Sequence, residues 1–241
     1  AQLRERIEDS DAVVRFLVDV LLRRYHSERR MHRGGEFEEA PAWLHALAEQ
    51  APDAIAKIKL ESSLRDAVEQ DALKLLYQPI VDLRTGQAVG AEALIRWHDP
   101  NLGIVPPQMF IEVAEETNLI LPIDRWVVNR ACSDLALLSK SASAASPDFF
   151  VNVNLSGREV LSDDILDVLD ACAEENGIDS SRIKLEVTEG ILVDGEGALK
   201  WMQNAVDRGY RLVLDDFGTG YSSLAYLRVL PIDTLKIDRS F

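Results

Sequence analysis

The feature that most constrains the fold is an alternation of short apolar runs with helical stretches from about residue 75 onward. Six runs have the length and composition of buried strands: 75–83, 88–97, 149–155, 183–187, 211–214 and 234–237. Helical patterns lie between them, at about 107–117, 121–138, 162–175, 197–208 and 222–227. A short turn joins the first two runs as a hairpin. The later β-α-β-α order predicts a mostly parallel sheet with right-handed crossovers.

The first 63 residues have a different character. Their apolar residues recur at helical spacing, and we expect helices at about 41–49 and 55–69. The basic run 23–33 fits either a nucleic-acid or phospholipid contact or a solvated helix face, and the second interpretation is favoured. Gly34 and Gly35 follow it as a linker. We therefore expect a helical lead-in from an upstream input domain over 1–63 and the main domain over 64–241.

The formal charge of −15 is unevenly distributed. Residues 1–63 hold 10 Lys and Arg against 12 Asp and Glu, so residues 64–241 hold 16 against 29 and carry most of the excess. This balance argues against a broad basic face for a nucleic-acid polymer or an anionic membrane. The sequence shows no run of 18 apolar residues and no signal-peptide pattern, so we expect no membrane span in these residues. Cys132 and Cys172 are expected to be free, buried thiols of a reducing compartment.

Polar residues interrupt or end the predicted strands at one kind of place. Glu92 lies in the second strand, and the later positions are Asn154, Glu186, the pair Asp215 and Asp216, and Lys236. The gaps from Asn154 onward are 32, 29 and 21 residues, and one βα unit takes roughly 30. Residues at equal height on successive parallel strands meet at one end of the sheet, where βα barrels build their active sites.

Carboxylates gathered in this way need compensating positive charge. Two of them ~4 Å apart repel by about 4 kcal/mol at an effective dielectric constant of ~20. Oxygen ligands from Asp, Glu and Asn suit Mg²⁺ or Mn²⁺, and an adjacent Asp pair suits a two-metal phosphoester hydrolase. Lys236 is then placed to orient the nucleophile or neutralise phosphate. The glycine-rich turn 216–223 can present backbone N–H groups to phosphate.

At these residues the sequence resembles the EAL-domain family of bacterial cyclic di-GMP phosphodiesterases. The resemblance covers about residues 64–241. The matching segments are 77–80 (YQPI), 92–97 (EALIRW), 153–156 (VNLS), 186–189 (EVTE), 215–224 (DDFGTGYSSL) and 235–238 (LKID). The tripeptide Glu-Ala-Leu alone carries no information, whereas the ordered set is specific.

The resemblance implies an α/β fold: a TIM-like barrel of EAL type whose first strand runs antiparallel to the second. It implies hydrolysis of cyclic di-GMP to linear pGpG with two Mg²⁺ or Mn²⁺ ions, a cytoplasmic bacterial location and a homodimer formed through the domain. By similarity the first-metal ligands are Glu92, Asn154, Glu186 and Asp215. Asp215 would bridge to a second ion held by Asp216, and Lys236 would contact the attacking water.

Further positions take roles from the same resemblance. The expected substrate contacts are Gln78, Leu94 and Arg96, with Arg96 on a phosphate oxygen. Glu189 is similar to the glutamate that fixes the loop 216–223, which contains Phe217, Gly218 and Gly220 and couples metal binding to dimerisation. Asp238 is expected to support the site.

The end of the chain departs from the family pattern. The family continues with two more strands that carry a glutamate for the second metal and a glutamine for guanine. We therefore expect residues 1–241 to be an inactive fragment of a longer, active enzyme. Two alternatives stay open: a receptor that binds cyclic di-GMP without cleaving it, and a protein-interaction module. The intact acidic set disfavours both.

Overall fold

The computed structural model describes residues 42–140, 148–160, 164–190, 195–218 and 227–238. The first element is helix α1, Ala42–Glu69. The prediction of two helices, at 41–49 and 55–69, is wrong because one helix spans both. It passes through Pro52, which removes one backbone N–H donor without ending the helix. Contacts between Cα atoms divide the chain into two compact units, 1–62 and 63–241. The basic run 23–33 and the glycine pair lie outside the described residues.

The sheet begins with a hairpin of β1, Leu73–Val81, and β2, Ala88–Asp99, which pair antiparallel. The Asp82 carboxylate accepts hydrogen bonds from the backbone N–H groups of Arg84 and Thr85, at 2.8 and 3.0 Å. Gly86 adopts a φ of 69°, which a tight turn requires and glycine tolerates. The sequence did not predict the short β3, Gly103–Val105, which pairs antiparallel with β2.

The remaining strands are parallel. They are β4, Phe150–Asn154, β5, Ile183–Thr188, β6, Arg211–Phe217, and β7, Thr234–Ile237. The sheet order is β1-β2-β4-β5-β6-β7, and every pair from β2 onward along this order is parallel. The predicted parallel sheet with an antiparallel first strand is confirmed. Within the described ranges β1 and β7 form no pair with each other, so the sheet is open there.

Helices connect the strands. They are α2, Pro107–Thr117, α3, Ile120–Lys140, the one-turn α4, Gly157–Val160, α5, Asp164–Asn176, and α6, Glu196–Asp207. A single 3₁₀ turn, Ser180–Arg182, leads into β5. The predicted helix at 222–227 lies almost wholly outside the described residues. No helix in the described part of the chain is both long enough and apolar enough to span a membrane.

Apolar packing between helices and sheet builds the core. Leu135 of α3, Leu166 and Leu169 of α5 and Leu185 of β5 are fully buried. Cys132 and Cys172 are buried, free thiols on α3 and α5, as predicted. Burial raises the pKa of both thiols, so they behave as small apolar side chains.

Candidate metal centre

Strand register gathers the polar side chains on one face of the sheet. Glu92 pairs with Asn152, Asn154 with Glu186, and Thr188 with Asp215. Paired residues of neighbouring strands point to the same face, and so do residues two apart along one strand. These two rules together bring side chains from β2, β4, β5 and β6 to a common place at the carboxyl ends of the parallel strands.

Lys236 on β7 connects three of these carboxylates. Its Nζ donates to Glu92 Oε2 at 3.1 Å, to Glu186 Oε2 at 3.1 Å and to Asp215 Oδ2 at 2.9 Å. The Asn154 amide adds a fifth strand, β4, by donating from Nδ2 to Glu92 Oε1 at 3.1 Å. Five of the six residues predicted for the metal centre and its lysine therefore form one hydrogen-bonded cluster.

A β-bulge places the aspartate pair. Leu214 pairs with Leu235, but the next pair is Phe217 with Ile237, so β6 contains one residue more than β7 over this interval. Asp216 takes a positive φ of 53°, an uncommon conformation for a residue other than glycine. Bulges turn side chains away from strict alternation. The Asp216 N–H donates to Asp215 Oδ1 at 2.9 Å, which leaves Asp215 Oδ2 for Lys236.

The electrostatics reflect burial in an acidic environment. The Glu186 side chain is 0% exposed, and burial raises its pKa to about 7. The positive charge of Lys236 lowers this pKa but does not offset the effect of burial. Burial alone lowers the pKa of Lys236, but the bond to Asp215 and the charges of Glu186 and Glu92 outweigh this and raise it. Burial, with the neighbouring charges of Asp215 and Asp238, also raises the pKa of Asp216.

The donor set fits a hard divalent cation. One oxygen from each of Glu92, Glu186 and Asp215 lies within 4.8 Å of the others, and such all-oxygen groups suit Mg²⁺ or Mn²⁺. With all three carboxylates in the ionised form that binds a metal, they and the Lys236 ammonium would carry a net charge of −2, which one such ion would balance. Asp216 is outside this group of three.

The loop after β6 is tied down at its start. The Gly218 N–H donates to Glu189 Oε2 at 3.3 Å, and Glu189 is 9% exposed. Gly218 has a φ of 100°, which disfavours any side chain there. Phe217 precedes it as the last residue of β6. Gly220 and the rest of the loop lie outside the described residues.

The predicted substrate contacts share the face of the cluster but lie on the hairpin. Gln78 on β1 pairs with Glu92, and Leu94 and Arg96 follow Glu92 at two-residue steps. The Arg96 guanidinium donates from Nη1 to the Ile95 carbonyl at 2.8 Å, so it is folded back along its own strand.

Sequence reasoning did not identify Asn152, which is hydrogen-bonded to a residue of the centre. Its Nδ2 donates to Glu186 Oε1 at 2.6 Å. The signal that could have found it is its spacing, because it lies two residues before Asn154 in a strand and so shares its face.

Comparison with known proteins decides the family. A family model described as EAL domain matches residues 61–241. The chain belongs to the EAL domain family. Among curated relatives, it is 39% identical over 189 residues to the cyclic di-GMP phosphodiesterase NbdA of Pseudomonas aeruginosa, covering 78% of this chain and 24% of NbdA. The curated relatives it matches are several times longer than the matched region.

Solved structures show the same fold for this EAL domain. The EAL enzyme Bd1971 in its cAMP and cyclic-di-GMP bound form has a TM-score of 0.75 and 34% identity, over 98% of this chain and 59% of that one. The phosphodiesterase PaMucR in complex with c-di-GMP has a TM-score of 0.71 and 37% identity, over 76% and 73%. The predicted EAL-type α/β fold is confirmed.

Proposed function

We propose that this EAL domain is the catalytic part of a phosphodiesterase that hydrolyses cyclic di-GMP to linear pGpG with two divalent cations. The observation that carries the proposal is the convergence of Glu92, Glu186 and Asp215 around the Lys236 ammonium. Its relative NbdA is named a cyclic di-GMP phosphodiesterase, and PaMucR was solved with c-di-GMP.

The acidic residues and Asn154 are assigned to two metal ions according to their position. Glu92, Asn154, Glu186 and Asp215 hold the first ion, and Asp216 holds the second through a carboxylate adjoining Asp215. Bound Mg²⁺ or Mn²⁺ supplies Lewis acidity and lowers the pKa of a bound water.

The chain itself supplies orientation. The Lys236 ammonium donates to three carboxylates, which uses all of its N–H groups. A cation that takes one of these oxygens would free a donor on an ammonium that is already held in place, and Lys236 could then donate to a water or a phosphate oxygen. Substrate contacts belong to Gln78, Leu94 and Arg96, for which Arg96 must swing from the Ile95 carbonyl to a phosphate oxygen.

Regulation and location are part of the same proposal. The bond from Gly218 to Glu189 supports a coupling of the metal site to a homodimer interface through the loop that contains Phe217 and Gly220, with Asp238 supporting the site. Residues 1–63 connect the domain to an upstream input module. The protein works in the cytoplasm, with no nucleic-acid polymer and no membrane lipid as its partner.

The test is product formation. Incubation with cyclic di-GMP and Mg²⁺ or Mn²⁺, followed by chromatography, should yield pGpG. Glu92→Ala should abolish it in a folded protein, because one ligand from the first metal site is lost. Glu112→Ala is the matched control, since that glutamate is exposed on α2. A longer form of the protein is assayed beside residues 1–241, because the curated relatives are several times longer than the matched region.

Two results would contradict the proposal. The first is full turnover by Glu92→Ala. The second is tight cyclic di-GMP binding by the longer protein with no pGpG formed, which would favour a receptor.

A further inference from the structure

The amide of Asn152 is buried beside the metal centre without belonging to it. Asn152 is 2% exposed, and its Nδ2 donates to Glu186 Oε1 at 2.6 Å. Hydrogen bonds to a carboxylate are shorter than those between neutral groups, and this one is at the short end for an N–H donor. The other amide atom, Oδ1, is buried and has no hydrogen-bond partner within the described residues.

The register explains why this amide reaches Glu186. Asn152 lies directly across from Glu92 on one side and Lys184 on the other. Glu186 follows Lys184 by two residues, so the bond from Asn152 runs diagonally upward to the next layer of the same face. Lys184 does not compete for it, because its Nζ donates to Asp233 Oδ2 at 2.7 Å.

The two oxygens of Glu186 therefore have separate partners. Oε1 accepts from Asn152, and Oε2 accepts from Lys236 at 3.1 Å. Glu186 is fully buried, so water cannot replace either donor. Loss of the Asn152 donor would free the carboxylate to rotate about its terminal torsion, which has only a shallow preference of its own.

The unpartnered Oδ1 argues that the amide is present for this bond. A buried carbonyl without a donor costs about 1–3 kcal/mol, and an apolar residue of the same size would avoid that cost. The reverse amide orientation would bring Oδ1 against Glu186 Oε1, two acceptors facing each other. The carboxylate therefore determines the amide orientation, and the amide in turn fixes the carboxylate.

We propose that Asn152 is a positioning residue that holds Glu186 with Oε2 directed into the metal centre. The inference rests on the proposed function, because it assigns Glu186 to a bound ion. Residues that hydrogen-bond to a metal ligand without touching the metal typically contribute 10–100-fold to metal affinity.

The experiment measures Mn²⁺ affinity of residues 1–241 by electron paramagnetic resonance titration of the free ion. Asn152→Leu removes the donor at similar volume, and Asn129→Leu on the exposed part of α3 is the control. We expect Mn²⁺ binding about 10–100-fold weaker for Asn152→Leu and unchanged for Asn129→Leu. The melting temperature of Asn152→Leu is measured beside the affinity, because the variant leaves Glu186 Oε1 buried without this donor while it also removes the unpartnered Oδ1. A purely structural role would change the melting temperature and leave the Mn²⁺ affinity of the folded protein unchanged.

The outcomes separate the inference from the function on which it rests. Wild-type affinity in Asn152→Leu, with Mn²⁺ binding intact in the parent chain, overturns the positioning role and leaves the proposed function standing. If the parent chain binds no Mn²⁺ and the longer protein forms no pGpG, the positioning role and the proposed function are both overturned. If Asn152→Leu fails to fold, Asn152→Ala takes its place, and Mn²⁺ affinity equal to that of the parent chain again overturns the role.

Discussion

Replacement of Lys236 by methionine should tighten Mn²⁺ binding while it abolishes turnover. The ammonium donates to the same three carboxylates that are proposed to hold the ion, at 2.9 to 3.1 Å. A cation that takes these oxygens must displace the ammonium from at least one of them. A hydrogen bond between charged groups contributes about 1.5–3 kcal/mol, and about 1.4 kcal/mol is a tenfold change in affinity. We therefore expect Lys236→Met to bind Mn²⁺ at least about tenfold more tightly.

The assay is isothermal titration of Mn²⁺ into residues 1–241 at constant pH and ionic strength. Lys184→Met is the matched control: this buried lysine lies on β5, the strand of Glu186, but its Nζ donates to Asp233 and Thr234. Its Mn²⁺ affinity should be unchanged. Unchanged or weaker binding by Lys236→Met would refute the reasoning, because it would mean that the ion does not use the oxygens that now accept from Lys236.

Two further predictions concern stability. Burial raises the pKa of Asp124 to about 7 despite hydrogen bonds from Ser156. Between about pH 4 and 7 the Asp124 carboxyl is therefore protonated in the folded state and ionised in the unfolded state. The free energy of unfolding consequently falls as the pH rises through that window. In urea unfolding, Asp124→Asn should therefore be more stable than the parent at pH 8 by more than about 1 kcal/mol and less so at pH 5; an equal difference at both pH values would contradict this. A Cβ at Gly90 would lie 2.5 Å from the Phe150 ring, so Gly90→Ala should cost about 1–3 kcal/mol, and an unchanged urea midpoint would contradict it.

Alternation of apolar runs with helical stretches was enough to predict the main strands. The pattern predicted a strand over 234–237 and a helix over 107–117, and both have those bounds in the structure. Local pattern also predicted a break in α1 that is absent. A proline within a helix raises the free energy of that helix locally. The sequence does not show that the rest of α1 compensates for Pro52.

The candidate site was predictable where polar residues end strands. Glu92, Asn154 and Glu186 follow from strand periodicity alone, and the structure brings them together. The bulge at Asp215 and Asp216 was not predictable, because it depends on the register between β6 and β7, which are joined by a long connection. The same limit applies to Asn152, whose role depends on a diagonal contact across two strands.

The bond from Lys236 to Glu92 joins residues that are 144 positions apart. Contacts of such separation pay a large loop-closure entropy, and chains dominated by them fold slowly. β2 pairs with β1 through a short hairpin, whereas β4, β5 and β6 separate β7 from β2 in the sheet. Folding intermediates that lack β7 would carry Glu92, Glu186 and Asp215 without their ammonium partner. The docking of β7 is therefore the step at which its ammonium neutralises these mutually repelling carboxylates.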